Sequence, residues 1–204
     1  MIERLEQEAG LPPYSHLGMV IADRNALYLW DAPGGGECFD DPYEPDPDNR
    51  IHGTPSAHTG CRVSPLDAVL AYYRTRVDVP GFWVRQLTPP VAPDQFGALR
   101  RFINRVDGLP FTTGRDAGIA ASFAFSRKGV SLFFGTYFCS QLVAESYMHM
   151  GLLRMDLLPS NGYSPAAFSM NDPARLPLVS PAKLSNVFFM EWDLPTGRGD
   201  PCPQ

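Results

Sequence analysis

Two short apolar runs near the start carry the first readable pattern. Residues 15 to 21, Ser-His-Leu-Gly-Met-Val-Ile, and 26 to 31, Ala-Leu-Tyr-Leu-Trp-Asp, are rich in strand formers and flank the turn-forming cluster Ala22-Asp-Arg-Asn25. They predict a β-hairpin. With Asp23 and Arg24 at its tip, Ile21 pairs with Ala26 and His16 stands directly opposite Asp31, so both project from one face. Further on, Ser64-Pro-Leu-Asp67 supplies an N-cap, a proline at the first helical position and a capping acid, which predicts a helix over 65–75. Gly81 to Leu87 reads as a strand. Asp94 opens a second helix, on which Phe96, Leu99, Ile103 and Val106 recur at three- and four-residue spacing until Gly108-Leu-Pro110 stops it. An apolar run over 130–138 then enters a helix that begins at Cys139 and runs to Met150, with Gly151 where a C-terminal glycine belongs. A late segment, Asn186 to Trp192, reads as an edge strand or a packing arm.

Composition changes this picture mainly by exclusion. A chain of 204 residues with 44% hydrophobic content can bury one core, which predicts a single domain over 1–204 of α+β class. The 21 prolines and 18 glycines require short elements joined by loops. A net charge of −5 with no basic block argues against nucleic acid as a partner. No stretch is apolar over the length that a membrane span needs, and the start, Met1-Ile-Glu-Arg-Leu-Glu, is charged, so no transmembrane segment and a cytoplasmic location are expected. Residues 33–60 form a long acidic loop rich in Pro and Gly, either a solvated excursion or a lid beside Asp31. Residues 195–204 read as a flexible tail.

The four cysteines, Cys38, Cys61, Cys139 and Cys202, lie far apart, which announces neither a disulfide framework nor a cysteine zinc site. The spacing of Cys38, His52, His58 and Cys61 matches no zinc-finger pattern, so no metal and no organic cofactor are expected. Cys139 stands apart because it opens a helix, where unpaired backbone N–H groups and the helix dipole favour an anion. That setting makes a thiol nucleophilic, and the N–H of Cys139 itself can receive the oxyanion of an acyl-transfer intermediate. His16 opposite a carboxylate has the form of an imidazole oriented by a third group. Tyr137, Ser140 and Phe111 are the candidate cleft-lining residues. His149, in the last turn of the Cys139 helix, is read as structural, its partly charged imidazole suiting the dipole. Arg198-Gly-Asp200 is a chance tripeptide.

Tyr14-Ser-His-Leu-Gly-Met-Val-Ile21 and Thr136-Tyr-Phe-Cys-Ser-Gln-Leu-Val-Ala-Glu-Ser-Tyr147 resemble the two signature blocks of the circularly permuted NlpC-like papain-fold proteins, the YiiX-like group. The resemblance extends in looser form from Tyr14 to Ser169, through Phe82-Trp-Val-Arg85, Gly108-Leu-Pro-Phe111 and Pro159-Ser-Asn-Gly-Tyr-Ser-Pro165. It implies a permuted papain-like α+β fold, a small antiparallel sheet or half-barrel packed against helices, with the catalytic cysteine at the N-terminus of a late helix. It also implies Cys139 as nucleophile, His16 as base and Asp31 as third polar residue. The chain departs from the family pattern at Met1 to Pro13, where the usual first strand is missing, at Asp31, often Glu, and at Gln141, frequently Glu.

Three functions follow as expectations. The first is a thiol hydrolase that cleaves an amide or isopeptide bond in a peptide substrate through an acyl-Cys139 intermediate. The second is a lipid acyltransferase or thioesterase acting on an acyl lipid, for which Phe133, Phe134 and Phe138 would flank the acyl chain. The third is a non-catalytic binding module that uses the same cleft and the acidic loop.

Overall fold

A computed structural model describes residues 6–8, 10–12, 14–23, 25–34, 60–76, 81–112 and 135–191. The predicted hairpin is present, as β1 (Met19–Asp23) and β2 (Ala26–Asp31), and a third strand, β3 (Arg62–Pro65), pairs with β2 in an antiparallel sheet of order β1-β2-β3. Its register differs from the expected one by two residues. The closing pair is Asp23 with Ala26, so Ile21 faces Tyr28 and Met19 faces Trp30. A two-residue slip preserves the face on which each side chain lies, because strand periodicity is two. One face of the sheet buries Ile21 and Trp30 in the core, while Val20 and Leu27 are exposed.

β3 was not legible, and its formation corrects the reading of Ser64 and Pro65 as a helix start. Ser64 pairs with Leu29 and Pro65 with Tyr28, and helix α1 begins one residue later, at Leu66, and runs to Arg76. Proline is tolerated at the end of an outer strand, where its missing N–H leaves no ladder bond unmade. The predicted strand over 81–87 divides into β4 (Gly81–Val84) and β5 (Leu87–Thr88), which take separate antiparallel partners, β7 (Phe188–Glu191) and β6 (Lys183–Leu184). Arg85 lies at the break. Its guanidinium donates to the carbonyls of Phe168, Met170, Leu184 and Ser185 and to Asn171 Oδ1, gathering the late part of the chain around one side chain.

Helix α2 (Pro93–Val106) starts from a proline and from a backbone-to-side-chain hydrogen bond in which the Ala92 N–H donates to Gln95 Oε1. Its inner face is Leu99, Phe102, Ile103 and Val106, which includes three of the four residues that the spacing picks out. Phe96, the fourth, packs at the margin. Helix α3 (Cys139–His149) ends as expected. Gly151 has a φ of +70°, its N–H donates to the Met148 carbonyl, and the Leu152 N–H donates to the Tyr147 carbonyl, the two bonds of a Schellman ending. A 3-10 turn (Ser160–Gly162) and the short helix α4 (Pro165–Ser169) follow.

Trp30 joins these parts. Fully buried, it packs edge-on against Phe102 of α2 with ring centroids 6.5 Å apart, and its indole N–H donates to Ser146 Oγ of α3 at 3.0 Å. One continuous apolar cluster thus draws on the sheet, α2, α3 and the segment up to Leu176. The architecture is mixed α+β, with small antiparallel sheets and a few helices. Among the described residues, no helix is long and apolar enough to cross a membrane. The acidic loop between Gly34 and Gly60, with Cys38, His52 and His58, lies outside the described residues, as do the run 130–134 and the tail from 192.

Candidate active site

The corrected register gives His16 its geometry. Asp31 now stands opposite Gly18, and His16 lies in the segment that leads into β1, one diagonal step away and within reach of a side chain of its length. The contact forms: His16 Nε2 lies 2.9 Å from Asp31 Oδ2. Gly18 makes the approach possible. A Cβ there would come within 2.7 Å of Leu29 Cδ1 and 3.2 Å of Asp31 Cβ, so any larger residue would fill the space beside the carboxylate. Asp31 is fully buried, whereas the His16 side chain keeps 28% of its surface exposed.

Cys139 reaches the same imidazole from the start of α3. Burial disfavours the charged ring of His16, but Asp31, which shares a hydrogen bond with it, and then Cys139 outweigh that and hold the His16 pKa well above 6.5. With Nε2 committed to Asp31, Nδ1 is the nitrogen left for the thiol. The structure therefore brings together His16, Asp31 and Cys139, residues far apart in the sequence.

The start of α3 is held on three sides. Tyr137 bridges to Phe111 in parallel fashion, and Ser140 Oγ donates to the Tyr163 carbonyl at 2.8 Å. One turn further on, Glu145 accepts from Tyr137 Oη at 3.1 Å and from Ser160 Oγ at 2.8 Å. The helix N-terminus itself is left without a side-chain cap, since Phe138 occupies the N-cap position and no acid lies in the first turn. First-turn N–H groups of a helix have no intrahelical acceptor, so that of Cys139 can receive an oxyanion.

Tyr137 is only 1% exposed and packs against Phe102, and burial, reinforced by Glu145, pushes its phenol up. It packs into the core, as deeply buried as Cys139 itself. Ser140 is likewise fully buried and spends its hydroxyl on Tyr163. Phe111 alone of the three is partly exposed, lying close to Gly34. His149, expected to be structural and partly charged, has surroundings that work against the charge. Its ring stacks on Phe102 at 4.6 Å and accepts from Arg105 Nη2 at 2.8 Å, and burial and the Arg105 charge lower its pKa.

Cys61 is a buried free thiol, pushed up by burial and then by Asp107, Asp31 and Glu145. Phe138 is buried, while Phe133 and Phe134 lie outside the described residues. No group of His, Cys, Asp and Glu able to hold a metal occurs among the described residues. The sequence reading passed over Arg62, which the third strand places beside Asp31, and Glu6, whose buried carboxylate accepts from the backbone N–H groups of Tyr14 and Ala166. Neither has a local signature, because each acquires its partner only through the fold. Set against known proteins, the chain matches no family model, no curated protein and no solved structure.

Proposed function

We propose that the protein is a cysteine hydrolase of the permuted papain-like, NlpC-type kind, cleaving an amide or isopeptide bond through an acyl-Cys139 intermediate. The observation that carries this reading is the 2.9 Å contact of His16 Nε2 with the buried Asp31 carboxylate, with Cys139 acting on the same ring and adding to its raised pKa. A thiolate beside an imidazolium is the working form of a cysteine nucleophile.

The Cys139 thiolate attacks the carbonyl carbon, and the carbonyl electron pair moves to oxygen, where the Cys139 N–H receives it. His16 then gives its proton to the nitrogen of the departing amine as the carbon–nitrogen bond breaks. That leaves a thioester and a neutral imidazole. The freed His16 nitrogen takes a proton from water, the hydroxide adds to the thioester, and Cys139 departs as thiolate, so that acid is released and the ion pair is restored. Asp31 accepts from Nε2–H throughout and keeps the other nitrogen turned toward the sulfur.

The test is iodoacetamide alkylation of Cys139 as a function of pH, with Cys38 and Cys202 replaced by Ser and Cys61 by Ala, since Cys61 is core. Reactivity retained at about pH 6, where an ordinary thiol is protonated, and lost in His16→Ala supports the pair. An unreactive thiol, or one indifferent to His16→Ala, rejects it. Hydrolysis of amide substrates by the wild type and none by Cys139→Ala completes the case.

A further inference from the structure

The carboxylate of the site has a second partner. Arg62 lies directly across from Asp31 in the β2–β3 ladder, and its Nε is 3.5 Å from Asp31 Oδ1, the oxygen that His16 does not use. Both side chains are buried, at 2% and 0% exposure. We propose that Arg62 is a positioning residue, which holds the Asp31 carboxylate as the acceptor of the His16 Nε2–H and thereby keeps His16 turned toward Cys139 through the whole reaction. This rests on the cysteine-hydrolase reading above.

The argument is one of charge balance in a dry site. In the resting form, thiolate, imidazolium and carboxylate together carry one negative charge, and Arg62 brings the buried set to neutrality. At the thioester stage the sulfur is uncharged and the imidazole has given up its proton. Asp31 is then an anion that depends on Arg62 for its counter-charge. A buried carboxylate without a counter-charge is costly and is relieved most cheaply by taking up a proton. A protonated Asp31 no longer demands the Nε2–H tautomer of His16, and the nitrogen that should activate water is no longer fixed.

Among the described residues, the other groups around Asp31 do not supply this charge. His16 approaches from the segment before β1 and Cys139 from the start of α3, and both change charge during the cycle. Cys61, beside β3, is a thiol whose pKa is pushed up, so it stays neutral, and Asp107 and Glu145 act on it as further negative charge. Arg62 is the permanent cation shown in contact with the carboxylate.

The experiment uses the same alkylation profile. Compared with the wild type, Arg62→Met is expected to lower the rate at about pH 6 by about tenfold, one pH unit's displacement of the acid limb, while Arg62→Lys stays within about threefold. In an Asp31→Asn background, Arg62→Met is expected to change the rate less than about twofold, since the effect passes through the carboxylate. Circular dichroism and a urea midpoint establish that each variant is folded, and Arg62→Gln replaces Arg62→Met if the latter does not fold. A folded neutral variant with the wild-type profile overturns the proposal. So does a loss that is as large in the Asp31→Asn background as in the wild-type one, which would make Arg62 part of the scaffold alone. A wild-type profile that does not depend on His16 overturns the hydrolase reading and this inference with it, an outcome distinct from the other two.

Discussion

At the scale of residues, the site depends on the space that one small position leaves open and on the partners that one ring gains. Gly18 matters for the volume that it does not fill. In Gly18→Ala, the new methyl meets Leu29 Cδ1, which can swing aside, and Asp31 Cβ, which cannot. A loss of about 1–3 kcal/mol in urea unfolding is expected, typical of an overfilled packed position, together with slower alkylation of Cys139 as the His16–Asp31 contact is displaced. His16 makes a prediction of its own. Its folded pKa lies above 6.5, so the stability it draws from Asp31 and Cys139 is present in full below about pH 6.5 and is lost as the pH rises through the raised value. The gap in unfolding free energy between wild type and His16→Gln should therefore be widest at about pH 6 and close toward alkaline pH. A gap that widens with pH would contradict the charged ring.

At the scale of elements, the segment carrying His16 is not a strand and needs another anchor. Glu6 provides it. Its two carboxylate oxygens accept from Tyr14, two residues before His16, and from Ala166 in the first turn of α4, and the side chain is fully buried. Glu6→Ala leaves both donors without that acceptor, for which a cost of about 1–3 kcal/mol in chemical denaturation is expected, with Glu6→Gln milder. Local pattern made β1, β2, α2 and α3 legible, because periodicity and capping are written in neighbouring residues. β3 was not, since four residues after a long loop show no alternation that outweighs a Ser-Pro helix start, and only the open edge of β2 settles the choice. The division of β4 from β5 was hidden for the same reason: their partners, β7 and β6, lie about a hundred positions away.

At the scale of the whole molecule, Arg85 ties the middle of the chain to its last elements, alongside the β4–β7 and β5–β6 ladders. The carbonyls around it include those just after α4 and those of β6, and burial lowers the pKa of the guanidinium without removing its charge. Arg85→Met should cost about 2–4 kcal/mol in urea unfolding and open residues 170–187 to limited proteolysis before the rest of the fold is lost. Cleavage there at the wild-type rate would show that the ties are redundant. The ribbon of β4 and β7 stands differently, with Trp83, Phe188 and Met190 all about half exposed.

The sequence by itself determined the parts whose causes are local. The hairpin follows from two runs of strand formers around a turn, the Cys139 helix from the apolar run that enters it and its terminal glycine, and the candidates Cys139, His16 and Asp31 from residue types in those elements. Tertiary structure decided what depends on distant partners. The register moved by two residues, yet His16 still meets Asp31, because the slip kept the face and Gly18 left room for the diagonal. Burial set Tyr137 and Ser140 into the packing around α3, and burial and the Arg105 charge lowered the His149 pKa. Arg62 and Glu6 gained their roles only when folding removed water from around Asp31 and from the backbone near α4. A charge or a donor taken out of water must find its partner in space, and sequence spacing does not encode that distance.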